Sequence, residues 1–421
     1  MFLMTIHNDK PVGRVSAKSI PLHATIQLPS SKSISNRVQI INALSYSPWP
    51  VKNLSDSDDT RVLAAALNSN DNVFDIGHAG TAMRFLTAFL SKIVGEWIIT
   101  GSERMKQRPI GILVEALNSI GARVEYVDNP GFPPLRIFGS HLIGGEVELD
   151  GSISSQYLSA LLMIAPTLDK GLTMTLKNRL TSRSYIEMTL KLMSYFGIRH
   201  EWKKNVIIVP PQDYLPRDYT VEADWSAASY WYSILALSPE GEIHLPGLVL
   251  SGLQGDEAIN EWFSWFGIET RTTAEGISLL KKKDIAPPKL FLKFHETPDM
   301  AQTMAVLCVA KGVPFHFTGL ETLKIKETNR ISALQDELRK FGANLVEPRN
   351  GELKWDGIIN PDLCIIDPVV ETYHDHRMAL AFAPMAIKYG DIRIADPAVI
   401  SKSYPNFWGD LKHAGFDVDR L

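Results

Sequence analysis

Several short stretches of this chain gather cations around groups that can accept or give a proton. LPSSKSISNR places Lys32 between Ser31 and Ser33, with Arg37 five residues on. SERMKQRPIG puts Arg104, Lys106 and Arg108 ahead of Pro109, a residue suited to the first helical position. LKIKETNRISAL holds Glu327 between Lys326 and Arg330, HDHR adds Asp375, His376 and Arg377, and SKSYP adds Lys402. In ETPDMAQT, Asp299 opens an apolar run. An aspartate there is by itself only a helix cap, but a carboxylate among cations can also exchange a proton with whatever the cations hold. Neutral donors suited to phosphate and hydroxyl groups come from Ser154, Ser155 and Gln156 in SSQY and from Ser182 and Tyr185 in TSRSY. Gly80 in GHAGTAMR permits either close backbone approach to a ligand or a turn needing positive φ. The chemistry these types describe is the gripping of a multiply charged anion, with proton transfer on it.

The elements that must position them follow from periodicity. HATIQL alternates Ala24, Ile26 and Leu28 with polar residues, a strand pattern, while Ile34, Val38, Ile41 and Leu44 fall at helical spacing. Lys32 and its serines therefore stand at a helix N-terminus, where free N–H groups and the dipole favour an anion. Amphipathic helices end at Gly121, Gly197, Gly267, Gly342 and Gly415, at intervals of 70 to 76 residues, each followed by a short strand. One such glycine is an ordinary C-cap; five at near-constant spacing are an internal repeat. A sixth, degenerate copy runs out at RVLAAALNSN. Each copy has room for a βαβαββ unit whose two helices both open on polar clusters, so twelve helix starts are predicted to converge on one region. Capping explains the serines and aspartates. It does not explain the lysines and arginines, which oppose the dipole at a helix start.

Composition narrows the rest. At 421 residues the chain has room for two or three domains, and 45% hydrophobic with 21% charged residues is ordinary for a soluble globular protein. A net charge of −4 and cations dispersed among helix starts argue against nucleic acid as a partner. The two cysteines, Cys308 and Cys364, make no disulfide framework or metal-ligand spacing, and both read as small buried hydrophobes. MFLMTIHNDK lacks the features of a signal peptide. No run reaches membrane-spanning length; QYLSALLMIAPTL is broken by Pro166. A cytoplasmic location away from the membrane is the expectation.

In order and identity, LPSSKSISNR, AGTAMR, RMKQRPIG, SSQY, PDMAQTMA, KIKETNR, HDHRMALAF and SKSYPNF resemble the blocks of the 5-enolpyruvylshikimate-3-phosphate synthases, and the resemblance spans nearly the whole chain. It implies an α/β fold of two similar domains, each three βαβαββ repeats with helix N-termini facing an interdomain cleft. The domains would be discontinuous, residues 1–29 plus 224–421 and residues 30–223. It implies transfer of the enolpyruvyl group of phosphoenolpyruvate to the 5-hydroxyl of shikimate 3-phosphate, by a monomer without cofactor or metal. By the same resemblance Lys32 lies between the substrates, and Ser33, Arg37, Ser154, Ser155, Gln156, Ser182 and Lys326 hold shikimate 3-phosphate. Arg108, Arg330, Arg377 and Lys402 grip phosphoenolpyruvate; Gln156 also reaches it and Gly80 approaches it closely. Asp299 takes the hydroxyl proton, and Glu327 gives and later removes a proton at the methylene carbon. The chain departs from the family pattern at His78, Phe85, Ser184, Thr322 and Asn329, none of them a proton-transfer position. Two alternatives stand beside this reading: a sister transferase acting on UDP-N-acetylglucosamine, and a non-catalytic phosphometabolite-binding protein on the same scaffold.

Overall fold

The repeat glycines all bend the chain the same way. Gly121, Gly197, Gly267, Gly342 and Gly415 have φ between 79° and 103°, and each N–H bonds the carbonyl three residues back. In four of the five cases the next N–H reaches the fifth carbonyl back, as in Ala122 to Leu117 and Ile198 to Met193. This is a Schellman ending, which satisfies the last carbonyls and turns the chain out of the helix.

The computed structural model describes residues 6–7, 10–17, 22–152, 154–178 and 180–419. Most of the MFLMTIHNDK stretch, and Ile153 beside the SSQY cluster, lie outside the described residues. The chain divides into two compact units, one of residues 30–221 and one of residues 1–29 with 222–421.

The 30–221 unit contains helices α1 (Lys32–Leu44), α2 (Asp58–Leu67), α3 (Gly80–Lys92), α4 (Gly111–Ser119), α5 (Ser155–Ile164) and α6 (Arg183–Tyr195). Strand Val73–Asp75, α3, strand Gly95–Thr100, α4, and strands Arg123–Tyr126 and Leu135–Gly139 form one βαβαββ copy. Its first two strands pair in parallel and the others antiparallel. Gly145–Asp150, α5, Leu172–Lys177, α6, Glu201–Lys203 and Val206–Val209 repeat it with the same pairing. The copy built on α1 and α2 keeps its helices, but among the described residues only a Lys52–Thr220 bridge stands where its sheet would be. The strand read in HATIQL covers Leu22–Thr25 and belongs to the other unit, parallel to Gly241–Pro246.

The second unit contains α7 (Trp225–Leu237), α8 (Ile259–Ser264), α9 (Ala301–Lys311), α10 (Arg330–Arg339), α11 (His376–Phe382), α12 (Ala386–Tyr389) and α13 (Phe407–His413). Its three sheets take in the N-terminal strands: Leu22–Thr25 edges one, and Lys10–Ser16, paired at its start with Ile6–His7, lies between Asp391–Ala395 and Asp417–Asp419 in another. α7, α9 and α11 are buried along nearly their whole length, through Trp225, Trp231, Met304, Val306 and Phe382 among others. Each large apolar side chain so buried contributes about 1.5–3 kcal/mol. Helices apolar on every side carry their polar chemistry at their ends, and here that means their starts. No described helix is long and apolar enough to cross a membrane.

Two expectations need correction. Pro109 stands outside α4, after a short 3-10 turn at Met105–Gln107, with its carbonyl taken by Arg84 and Tyr157. Cys308 is buried within α9, but Cys364 is exposed, because it follows a surface turn at Pro361–Leu363 and does not enter a helix.

Candidate active site

In the second unit three helix starts meet. A 3-10 turn at Pro298–Met300 carries Asp299 into α9, Arg330 opens α10, and Asp375 caps α11 by accepting the Arg377 N–H at 3.0 Å. Arg330, 2% exposed, joins all three. Its Nε donates to Asp375 at 2.6 Å, one Nη to Asp299 at 2.9 Å and the other to Glu327 at 2.9 Å. Arg377 donates to the second oxygen of Asp299 at 3.0 Å, and Lys402 to the second oxygen of Glu327 at 2.6 Å. Lys326 stands 3.8 Å from Asp299. Glu327, Arg330 and Lys326 come together because one short turn ends at α10, whose cap is Asn329 accepting from the Ser332 N–H. At this departure from the family pattern the cap survives, since asparagine caps as well as aspartate.

Electrostatics follow from the crowding. Burial works to raise the Asp299 carboxyl, but Arg377, Lys326 and Arg330 outweigh it and hold it well below the usual carboxylate range. Burial opposes the charge of Arg330, yet Asp375, Glu327 and Asp299 raise its pKa above the ordinary value. Lys326 is lowered, by burial first, with Asp299 offsetting part of the effect. Asp299 and Glu327 are thus ion-paired carboxylates, each held by cations on two sides.

The 30–221 unit brings together most of its predicted residues. Lys32 is the first residue of α1, beside Ser33. Arg37, one turn on, is 2% exposed and donates to the Ser33 carbonyl, Thr189, Ser159 and the Tyr185 carbonyl. Its guanidinium lies over the rings of Phe85 and Tyr185, and burial lowers its pKa to about 10. Ser154 caps α5, Ser155 is its first residue, and Gln156 donates to Thr81 at 3.2 Å. Ser182 starts α6 in the left-handed region, φ 56°, a strained position for a serine. Gly80, first residue of α3, lacks positive φ, so the turn explanation fails. A β-carbon there would sit 2.6 Å from a terminal nitrogen of Arg108. Arg84 ties the Gly80 carbonyl to the Pro109 carbonyl, which fixes that approach.

Of the three cations before Pro109, Lys106 pairs with Glu103 on the surface and exposed Arg104 donates to Gln107. Arg108 makes no side-chain hydrogen bond or ion pair among the described residues, and its Nε is buried. Sequence reasoning passed over Arg84, Ser226, Tyr230 and Asp256, and left Asp375 without a role. Ser226 and Asp256 stood in polar clusters at helix starts (ADWSAAS and QGDEA), a signal that was present but shared with ordinary caps.

Comparison with known proteins gives the family of the chain and the likeness of its fold. Residues 65–411 match the family model described as EPSP synthase (3-phosphoshikimate 1-carboxyvinyltransferase). A 3-phosphoshikimate 1-carboxyvinyltransferase of Bacteroides fragilis (strain YCH46) is 52% identical over 399 residues, covering 94% of this chain and 96% of the relative. One from Vibrio atlanticus (strain LGP32) is 35% identical, covering 96% and 98%. The solved EPSP synthase of Acinetobacter baumannii superposes with a TM-score of 0.77 at 18% identity, over 97% of this chain and 99% of that one, a likeness of fold.

Proposed function

The chain belongs to the EPSP synthase family, the 3-phosphoshikimate 1-carboxyvinyltransferases, and from that premise we propose how its own side chains carry the reaction. It transfers the enolpyruvyl group of phosphoenolpyruvate to the 5-hydroxyl of shikimate 3-phosphate and releases phosphate, a step of aromatic amino acid biosynthesis. The observation that carries our assignment is the single Arg330 guanidinium bonded to both Asp299 and Glu327, with Arg377 and Lys402 on their outer oxygens.

Arg108, Arg330, Arg377 and Lys402 take the carboxylate and phosphate of phosphoenolpyruvate, with Gln156 and the Gly80 backbone beside it; arginine's planar fork matches both anions. Ser33, Ser154, Ser155, Gln156, Ser182, Tyr185 and Lys326 hold shikimate 3-phosphate. Arg37, which also donates to the Ser33 carbonyl, belongs to the same set, and Lys32 serves both substrates. A substrate anion competes with Asp299 and Glu327 for the same N–H groups. It offsets the positive field that depresses Asp299 and so returns basicity to that carboxylate. Asp299 then accepts the 5-hydroxyl proton as the oxygen bonds to C2 of phosphoenolpyruvate, while Glu327, which takes up a proton from solvent as the substrate anions draw Arg330 and Lys402 away from it, delivers that proton to the methylene carbon. In collapse Glu327 removes a methyl proton, the C–O bond to phosphate breaks, and phosphate leaves with the proton held by Asp299. We assign the work to a monomer and place it in the cytoplasm with its charged metabolites.

A sister reaction on UDP-N-acetylglucosamine is not favoured. Burial pushes the Cys308 thiol up, away from the thiolate a reactive cysteine needs. The test is phosphate release from phosphoenolpyruvate with each acceptor in turn. Release with shikimate 3-phosphate alone is expected; release with UDP-N-acetylglucosamine, or with neither, would sink the assignment.

A further inference from the structure

Beneath Arg377 lies a second acid. Asp256, buried in the 3-10 turn Gly255–Ala258 ahead of α8, accepts the hydroxyl of Ser226 from the first turn of α7 at 2.5 Å. Ser226 Oγ in turn lies 3.4 Å from the Arg377 Nη that also holds Asp299. The other Arg377 Nη donates to the Tyr230 hydroxyl at 3.3 Å.

A serine hydroxyl has one hydrogen and two lone pairs. Facing a guanidinium it can only accept, so its hydrogen must point elsewhere, and a carboxylate on the far side makes that orientation the stable one. We propose that Asp256 and Ser226 are a positioning pair for the known reaction: Asp256 takes the Ser226 hydrogen, so that Ser226 presents its lone pairs to Arg377 and fixes the guanidinium for phosphoenolpyruvate and Asp299 together. Three separate elements, the starts of α7 and α11 and the turn before α8, converge to build it. A buried carboxylate kept only for folding would be a costly choice, since burial, with Asp299 nearby, pushes the Asp256 carboxyl up to about 7 against the pull of Ser226 and Arg377. The charged groups acting on it are Asp299, Arg377 and Asp224.

The proposal rests on the reading that Arg377 binds phosphoenolpyruvate, and the experiment separates the two. Steady-state kinetics are measured for Ser226→Ala, Asp256→Asn, the double variant and Arg377→Gln. Ser226→Ala should raise the KM for phosphoenolpyruvate about tenfold, the scale of one hydrogen bond to a charged group, and leave the KM for shikimate 3-phosphate within about twofold. Asp256→Asn, whose amide oxygen accepts more weakly and whose NH2 can turn toward Ser226 instead, should raise the same KM by a smaller factor, and adding it to Ser226→Ala should change nothing further, because it acts through Ser226. An unchanged phosphoenolpyruvate KM in Ser226→Ala, alongside a raised one in Arg377→Gln, overturns the pair and leaves the role of Arg377 standing. No change in Arg377→Gln overturns both. If Asp256→Asn does not fold, the Ser226→Ala comparison of the two KM values decides alone; a rise in both KM values alike would mark a structural role and end the proposal.

Discussion

Arg330 reaches three carboxylates that lie 3, 31 and 45 residues away in the chain. Spacing exposes only the nearest, Glu327 in KETNR; which oxygen each cation takes is decided by where α9, α10 and α11 start. The sequence therefore displayed Asp299, Glu327 and the cations but not the order of their pairing, and Asp375 went unread as the anchor of Arg330. Each oxygen of Asp299 and of Glu327 accepts from a cation, and the residue that caps α10 is Asn329 rather than Glu327. Asp299→Asn and Glu327→Gln should therefore yield folded proteins that bind shikimate 3-phosphate by calorimetry, with turnover lowered about 10²–10⁴-fold. Near-normal turnover in either variant would remove that residue from the proton-transfer scheme. Gly80 carries a prediction of its own, because an added methyl would press on the Arg108 guanidinium, a flexible group that can yield. Gly80→Ala should weaken phosphoenolpyruvate about tenfold, as for one displaced charge-assisted hydrogen bond, and leave shikimate 3-phosphate unmoved. Equal weakening of both would show a general fault in the turn.

Helices were the readable elements. Their polar starts and glycine ends are local signals, satisfied by backbone groups within a turn or two, and all twelve predicted starts lead into helices. Strands were harder: the bridge at Lys52 and Thr220 joins residues far apart, and nothing local announces it. Nor does any pattern announce the loop before α11, where Tyr373 and His374 both sit at positive φ, 53° and 57°. Each costs about 1–3 kcal/mol unless its surroundings enforce it. Here Glu337 of α10, fully buried, accepts from the Tyr373 hydroxyl at 2.7 Å and from the Glu371 N–H at 3.0 Å, while Asp396 lies 3.2 Å from His374. The helix that carries Arg330 thus braces the loop that delivers Asp375 and Arg377. Tyr373→Phe leaves a buried carboxylate short of a donor and should cost about 1–3 kcal/mol in urea denaturation. It should also raise the KM for phosphoenolpyruvate. A stability unchanged within error would mean the loop holds its shape without the brace.

For the whole molecule, the telling fact is that one unit is a continuous segment and the other is not. Residues 30–221 expressed alone should fold, with a cooperative thermal transition. Residues 222–421 lack strand Lys10–Ser16, which is hydrogen-bonded on both sides within its sheet, and the edge strand Leu22–Thr25. That fragment should stay without a sharp transition until a peptide of residues 1–29 is supplied. A cooperative transition without the peptide would show the strands to be dispensable. Alternation in HATIQL revealed that a strand exists but not where it pairs, since its partner Gly241–Pro246 is more than two hundred residues distant. The same topology sets a timetable. Arg14 and Asp391, joined by a side-chain hydrogen bond running diagonally across neighbouring strands, are 377 residues apart. A ribosome adding about 5–20 residues per second needs roughly 20 to 75 s to travel between them. For that interval the Arg14–Ser16 part of the strand has both edges unpaired, open to any passing strand, and it is made long before it can be placed.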